Sequence, residues 1–113
     1  METTMNNNQS SSIRCVVLGG TGFVGQAIVA YLERIGVYTQ VVPLGSSDVD
    51  IRDLAQVREA LTAGDDVINA AGYSQATDAS TAGTHKHQQL NVEGAVNVAR
   101  AAAEKQVRKL VHL

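Results

Sequence analysis

The chain has 113 residues, 44% of them hydrophobic and 18% charged, with a formal net charge of −2. That length supports one small domain with its own core and leaves no room for a second, and the composition is that of a globular chain rather than a disordered one. No run approaches the about 20 apolar residues that a bilayer-spanning helix needs. The slightly acidic balance also lacks the gathered Lys and Arg that hold a polyanion, so neither membrane nor nucleic acid is expected as a partner.

Residues Thr3 to Ser12 are Asn, Gln, Ser and Thr apart from Met5. They offer too little apolar area to offset the entropy of ordering, so residues 1–12 are expected to form a disordered polar tail and residues 13–113 the domain. The start carries neither a secretory h-region nor an Arg-rich amphipathic pattern, which makes the cytoplasm the expected compartment. At Ile13 the composition changes to Ile13-Arg14-Cys15-Val16-Val17-Leu18, a short apolar run ended by glycines, as expected for a strand covered on both faces. Cys15, the chain's single cysteine, is expected there as a small buried thiol.

From Gly22 onward Phe23, Val24, Ala27, Ile28, Tyr31, Leu32 and Ile35 recur at helical spacing, with Gly36 placed as a left-handed cap. Val37 to Leu44 is the expected second strand, with Pro43 limiting its end. Asp48-Val49-Asp50-Ile51-Arg52-Asp53 alternates and is expected as a short third strand. Asp53 with Gln56 then opens a helix by a capping-box-like start. Val67-Ile68-Asn69-Ala70-Ala71-Gly72 predicts a fourth strand with a small-residue exit, and Tyr73 to Thr84 predicts a loop. Leu90 to Lys105, rich in Ala and Val, predicts a long helix, and Val107 to Leu113 a fifth strand whose apolar edge is prone to association.

Strands alternating with helices at these spacings imply right-handed crossovers and a parallel sheet covered on both faces. The expected fold is therefore a Rossmann-type α/β sheet with strand order 3-2-1-4-5, stopping after the fifth strand. Within it, Gly19-Gly20-Thr21-Gly22-Phe23-Val24-Gly25 joins the first strand to the first helix. Gly19 suits a tight exit from the strand, Gly22 a close approach of backbone to a phosphate, and Gly25 close helix-to-strand packing. The helix N-terminus would offer free N–H groups and partial positive charge to an anion. No Lys-Ser or Lys-Thr pair follows the glycines, which excludes a Walker-type triphosphate loop.

These segments together resemble the extended short-chain dehydrogenase/reductase superfamily, which includes NAD(P)-dependent epimerases and dehydratases, sugar-nucleotide reductases and 3β-hydroxysteroid dehydrogenases. The glycine loop is similar to its Gly-x-x-Gly-x-x-Gly loop, Asp50-Ile51-Arg52-Asp53 to its Asp-hydrophobic-x-Asp element, and Asp66 to Gly72 to its fourth strand and exit. Asn91-Val92-Glu93-Gly94-Ala95-Val96-Asn97 is similar to its Asn-x-x-Gly-Thr-x-Asn helix, with Ala95 in place of Thr.

The resemblance implies NAD or NADP as cofactor, with Gly19, Thr21, Gly22, Phe23, Val24 and Gly25 around the pyrophosphate. Asp50 and the Ile51 backbone would lie at the adenine edge, and Ala70, Ala71 and Gly72 beside the ribose and nicotinamide. For Asp50 a solvated loop carboxylate is the plain alternative, and for Asn69 and Asn91 a structural tie to backbone. Where relatives choose their cofactor this chain reads Gly45-Ser46-Ser47-Asp48: Asp48 could meet a ribose 2′-hydroxyl, or Ser46 and Ser47 a 2′-phosphate, and the choice stays open.

The family's catalytic Ser and Tyr-x-x-x-Lys come after the fifth strand, where Lys lowers the Tyr pKa for proton exchange with substrate. None of Tyr31, Tyr38 and Tyr73 has Lys four residues on. The resemblance thus implies an N-terminal, cofactor-holding part of an oxidoreductase or epimerase. No catalytic residue is expected of its own beyond a supporting Asn91, and the small-molecule substrate would belong to the full-length enzyme. Homo-oligomerisation is left open. The alternatives are a non-catalytic NAD(P)-sensing or assembly module and a functionless gene fragment.

His85 and His87 flank Lys86, but on a helix they would point about 200° apart, so solvated helix-start residues are expected rather than a metal site. His112 is expected as a packed or edge histidine. Lys105, Arg108 and Lys109 form a basic cluster suited to a helix C-terminus.

Overall fold

The computed structural model describes residues 13–72 and 89–113. The tail at residues 1–12, the Tyr73 to Thr84 loop and the His85-Lys86-His87 segment lie outside them. Four strands, β1 (Arg14–Leu18), β2 (Gln40–Leu44), β3 (Asp66–Asn69) and β4 (Lys109–His112), form one parallel sheet in the order β2-β1-β3-β4. Among the described residues three α-helices accompany them: α1 (Phe23–Ile35), α2 (Leu54–Ala60) and α3 (Gly94–Glu104), the last entered through a π-helical turn at Gln89–Glu93.

The β-branched run of the first strand is central, and Cys15, Val16 and Val17 have no exposed surface. Side chains alternate across a strand. Val16 and Leu18 thus join Val67 of β3 against Val57 and Leu61 at α2 and Val98, Ala101 and Ala102 of α3. The alanines of α3 let its backbone lie close to the sheet. Helix α1 runs from β1 to β2 and covers the other face there; Gly36 ends it in the left-handed region at φ 67°, its N–H donating to the Leu32 carbonyl.

The expected third strand is absent: Asp48–Asp53 is a chain of turns, and the sheet has four strands instead of five. Short acidic side chains there bond local backbone in place of a ladder. Asp48 accepts from the Gly45 N–H at 2.8 Å, and Asp50 from the Arg52 N–H at 3.0 Å. With that strand removed, the remaining order is the expected one. The second strand begins at Gln40 rather than Val37, and Pro43 lies within it; β2 is an edge strand, where a missing N–H costs no ladder bond. The helix cap at Asp53 forms as expected, accepting from Ala55 and Gln56. Gln56, however, accepts the Asp50 N–H at 2.9 Å instead of the Asp53 N–H and donates its amide to the Asp53 carboxylate at 3.2 Å, so it joins the cap to the preceding turn.

The amino ends of the strands are closed by ion pairs. Arg14 makes a two-pronged bond to buried Asp65, and Arg108 another to buried Asp66, which also accepts from the Tyr38 hydroxyl at 2.7 Å. The carboxyl ends carry the site. The chain leaves β1 toward β2 on one side while β3 pairs with β1 on the other, which makes the end of β1 the switch point of the sheet.

Candidate functional site

At that switch point the glycine loop is wedged between two strand exits. The Gly19 N–H donates to the Leu44 carbonyl at 2.8 Å, and the Gly20 N–H to Val17 at 3.1 Å. Gly19 sits at φ 78°, and a Cβ there would lie 2.6 Å from the Ala71 nitrogen, so both its conformation and its space demand glycine. Gly25, expected to let the helix approach the strand, instead lets it approach the loop: a Cβ on it would overlap the Gly19 carbonyl.

Gly22 is the N-cap of α1, with extended backbone and no side-chain capping bond, and no acidic residue occupies the first turn. The first N–H groups of a 13-residue helix therefore face the groove without a side-chain acceptor. The Gln26 side chain bonds the Thr21 carbonyl at 2.7 Å, and Thr21 packs against Gly45, where any Cβ would overlap its hydroxyl.

Two grooves meet over this loop. One, of about 500 Å³, is lined by Gly19, Thr21, Gly22, Ser46, Asp50, Ile51, Arg52 and Ala70–Gly72, among others. The other, of about 680 Å³, is lined by Gly22–Gly25, Ala70–Gly72, Asn91, His112 and Leu113. They share Gly22 and Ala70–Gly72 and lie in the size range of small-molecule sites. Every residue expected at the cofactor is thus brought to this trough, and Asn91 with them.

Its electrostatics are uneven. Asp50 is held by Arg52 in a two-pronged pair at 2.8 and 2.9 Å, and that guanidinium keeps its carboxyl below the usual carboxylate range. Asp50 is therefore a paired carboxylate and not a freely solvated one. Asp48 turns to the Gly45 N–H and does not line the groove, whereas Ser46 does. Asn69 takes the structural role, its Oδ1 accepting the Ala71 N–H at 3.1 Å.

Three contributors escape the sequence reading. Arg52 pairs with Asp50; its place two residues on in a turn was the available signal. Asn97 donates to the Ile51 carbonyl at 2.9 Å, tying α3 to the groove wall, and its spacing six residues after Asn91 was the cue. His112 lines the groove instead of merely packing at the edge. Among the described residues no group of three or more His, Cys, Asp or Glu comes together to hold a metal, and no helix is long and apolar enough to cross a membrane.

The sheet order, the crossovers and the glycine-floored trough define a Rossmann-type α/β domain. Residues 15–113 match the model of the NAD dependent epimerase/dehydratase family, and the chain belongs to that family. It is 32% identical, over 87% of its length, to a 3beta-hydroxysteroid-dehydrogenase/decarboxylase isoform 3 of Arabidopsis thaliana. It is 36% identical, over 80% of its length, to a dTDP-4-dehydrorhamnose reductase of Mycolicibacterium smegmatis. The chain spans 21% and 27% of these two relatives. A GDP-L-fucose synthetase from Naegleria fowleri, solved bound to NADP, superposes with a TM-score of 0.71 at 22% identity, covering 91% of this chain and 31% of that one.

Proposed function

We propose that the chain holds NAD(P) for an oxidoreductase or epimerase of this family. The observation that carries the reading is the uncapped start of α1 above a floor of glycines, three of which, Gly19, Gly20 and Gly25, have no room for a Cβ. An anion is favoured there by the helix dipole and by unclaimed backbone donors. Gly19, Thr21, Gly22, Phe23, Val24 and Gly25 would hold the pyrophosphate. The Asp50–Ile51 wall would hold the adenosine, and Ala70, Ala71, Gly72 and Asn91 the nicotinamide side. When bound, the cofactor supplies hydride exchange between nicotinamide and a carbonyl or alcohol carbon of the substrate.

The reading extends to the choice of cofactor. A ribose 2′-hydroxyl wants an acid at the end of the second strand. Here that place is Gly45, where Thr21 excludes a side chain, and the nearby Asp48 is turned to backbone. Ser46, with the donors of the Arg52 guanidinium that its pair with Asp50 does not use, is at that end of the groove, which favours the 2′-phosphate of NADP, the cofactor of the Naegleria structure.

Titration of NADPH and NADH into the 113-residue chain, followed by nicotinamide fluorescence, tests both statements. Saturable binding that is tighter for NADPH is expected, and lost when Gly22 is replaced by Val. No response to either nucleotide at millimolar concentration overturns the binding reading, and equal affinity overturns the preference alone.

A further inference from the structure

One polar pair at the larger groove, His112 on its lining and buried Asn69 behind it, has no part in the reading above. Asn69 and His112 stand side by side at the carboxyl ends of β3 and β4, paired in register. The Asn69 Oδ1 accepts the Ala71 N–H at 3.1 Å. A backbone N–H only donates, so the amide oxygen must be the atom that faces it, and the Asn69 NH₂ is thereby turned toward the imidazole. Its Nδ2 lies 3.3 Å from His112 Nδ1. Since an NH₂ group only donates, Nδ1 must be the acceptor, and in the neutral ring the proton then sits on Nε2.

The ring is exposed and lines the groove with Phe23, Ala71, Gly72 and Asn91, on the opposite side of the shared Gly22 and Ala70–Gly72 floor from Asp50 and Arg52. With the pyrophosphate over the start of α1 and adenosine against Asp50, the part of a dinucleotide that enters this groove is the nicotinamide nucleoside. Its ribose carries hydroxyl oxygens able to accept from a neutral N–H. We propose that His112, held in its Nε2–H form by Asn69, donates a hydrogen bond to the nicotinamide ribose of the bound dinucleotide, with Asn69 as the positioning residue. The proposal rests on the dinucleotide reading.

The test has two readouts on the 113-residue chain. Long-range ¹H–¹⁵N correlation spectra report which ring nitrogen is protonated: the Nε2–H pattern is expected in the wild type. Asn69→Asp, which keeps the acceptor for Ala71 but replaces the NH₂ by a second acceptor, should move the proton to Nδ1. Affinities for NADPH, ADP-ribose and ADP then locate the contact. His112→Phe should weaken the first two by about 5- to 10-fold, the loss of one hydrogen bond, and leave ADP unchanged. His112→Gln, whose amide Nε2 stands in for the ring Nε2, should recover most of the loss.

A ring protonated on Nδ1 in the wild type, or ADP-ribose binding indifferent to His112→Phe, overturns the proposal. Loss confined to NADPH places the contact on the nicotinamide ring and overturns the ribose assignment. Failure of all three ligands to bind, ADP included, overturns the dinucleotide reading itself.

Discussion

Gly25 faces the carbonyl of Gly19 so closely that a β-carbon on it would overlap that oxygen and lie 2.8 Å from the Gly20 Cα. The loop cannot yield easily, because Gly19 and Gly20 are both bonded to the Leu44 carbonyl. Gly25→Ala is therefore expected to cost about 1–3 kcal/mol, the usual range for overpacking, read as a lower urea midpoint.

Gly22→Ala separates binding from folding. Its backbone is extended and a Cβ would meet the Gly19 carbonyl at an ordinary 3.4 Å, so the urea midpoint should stay within about 0.5 kcal/mol of wild type. The added methyl nonetheless stands at the shared floor of both grooves, where NADPH affinity should fall at least about tenfold, a change of about 1.4 kcal/mol. Unchanged affinity in a folded Gly22→Ala protein would remove the glycine loop from the site.

These contrasts show where sequence was sufficient. Strand, glycines and helix could be read because each signal is local: a β-branched run, a turn residue with no alternative, and apolar spacing of 3.6. Asp48–Asp53 misled because alternation of polar and apolar residues says strand. Asp48 and Asp50 instead bond backbone two or three residues away, and local side-chain bonds compete with a ladder. The groove's charge balance was equally hidden. Arg52 and Asp50 could be seen as neighbours, but not that they pair, and the Asn97 bond to Ile51 spans 46 positions that only the packing of α3 brings together.

That bond can be tested directly. The Asn97 amide is the tie between α3 and the turn that carries Asp50 and Ile51. Asn97→Ala should cost about 1 kcal/mol for a lost hydrogen bond and leave the Ile51 carbonyl without that donor. If the tie positions the groove wall, NADPH affinity should fall while the affinity for nicotinamide mononucleotide stays as it was; equal losses for both would point to general loosening instead.

Cys15 has no exposed surface, and burial pushes its thiol up to about 11, with the Asp66 charge adding to the effect. The ordinary thiol titrates near about 8.5, and only the thiolate reacts. At pH 8 iodoacetamide should therefore label the native chain slower by roughly two orders of magnitude than the chain in urea. Rapid labelling of the folded protein would show that the first strand is not held inside the sheet.

Asp66 gives the fold a pH dependence. The Arg108 guanidinium beside it, with the Tyr38 hydroxyl, holds its carboxyl below the usual range against the opposing effect of burial. A carboxylate depressed in the folded state contributes stability that is fully present above its unfolded pKa of about 3.9 and is lost as pH falls through the lower folded value. Stability should thus be flat from about pH 5 to 8 and decline below about pH 4. Tyr38 acts at the other end: burial, and then its bond to Asp66, raise its hydroxyl, so its contribution is complete below an unfolded value of about 10 and is lost as pH rises past it. Asp66→Asn should lose about 1–3 kcal/mol at pH 7, where the carboxylate partner of Arg108 is replaced by a neutral amide. At an acid pH well below the usual carboxylate range the wild-type carboxyl takes up its proton, and the deficit should shrink. Urea unfolding at the two pH values measures the difference. A deficit of the same size at both would mean that Asp66 stabilises through its shape in the sheet, with the pairing to Arg108 adding nothing.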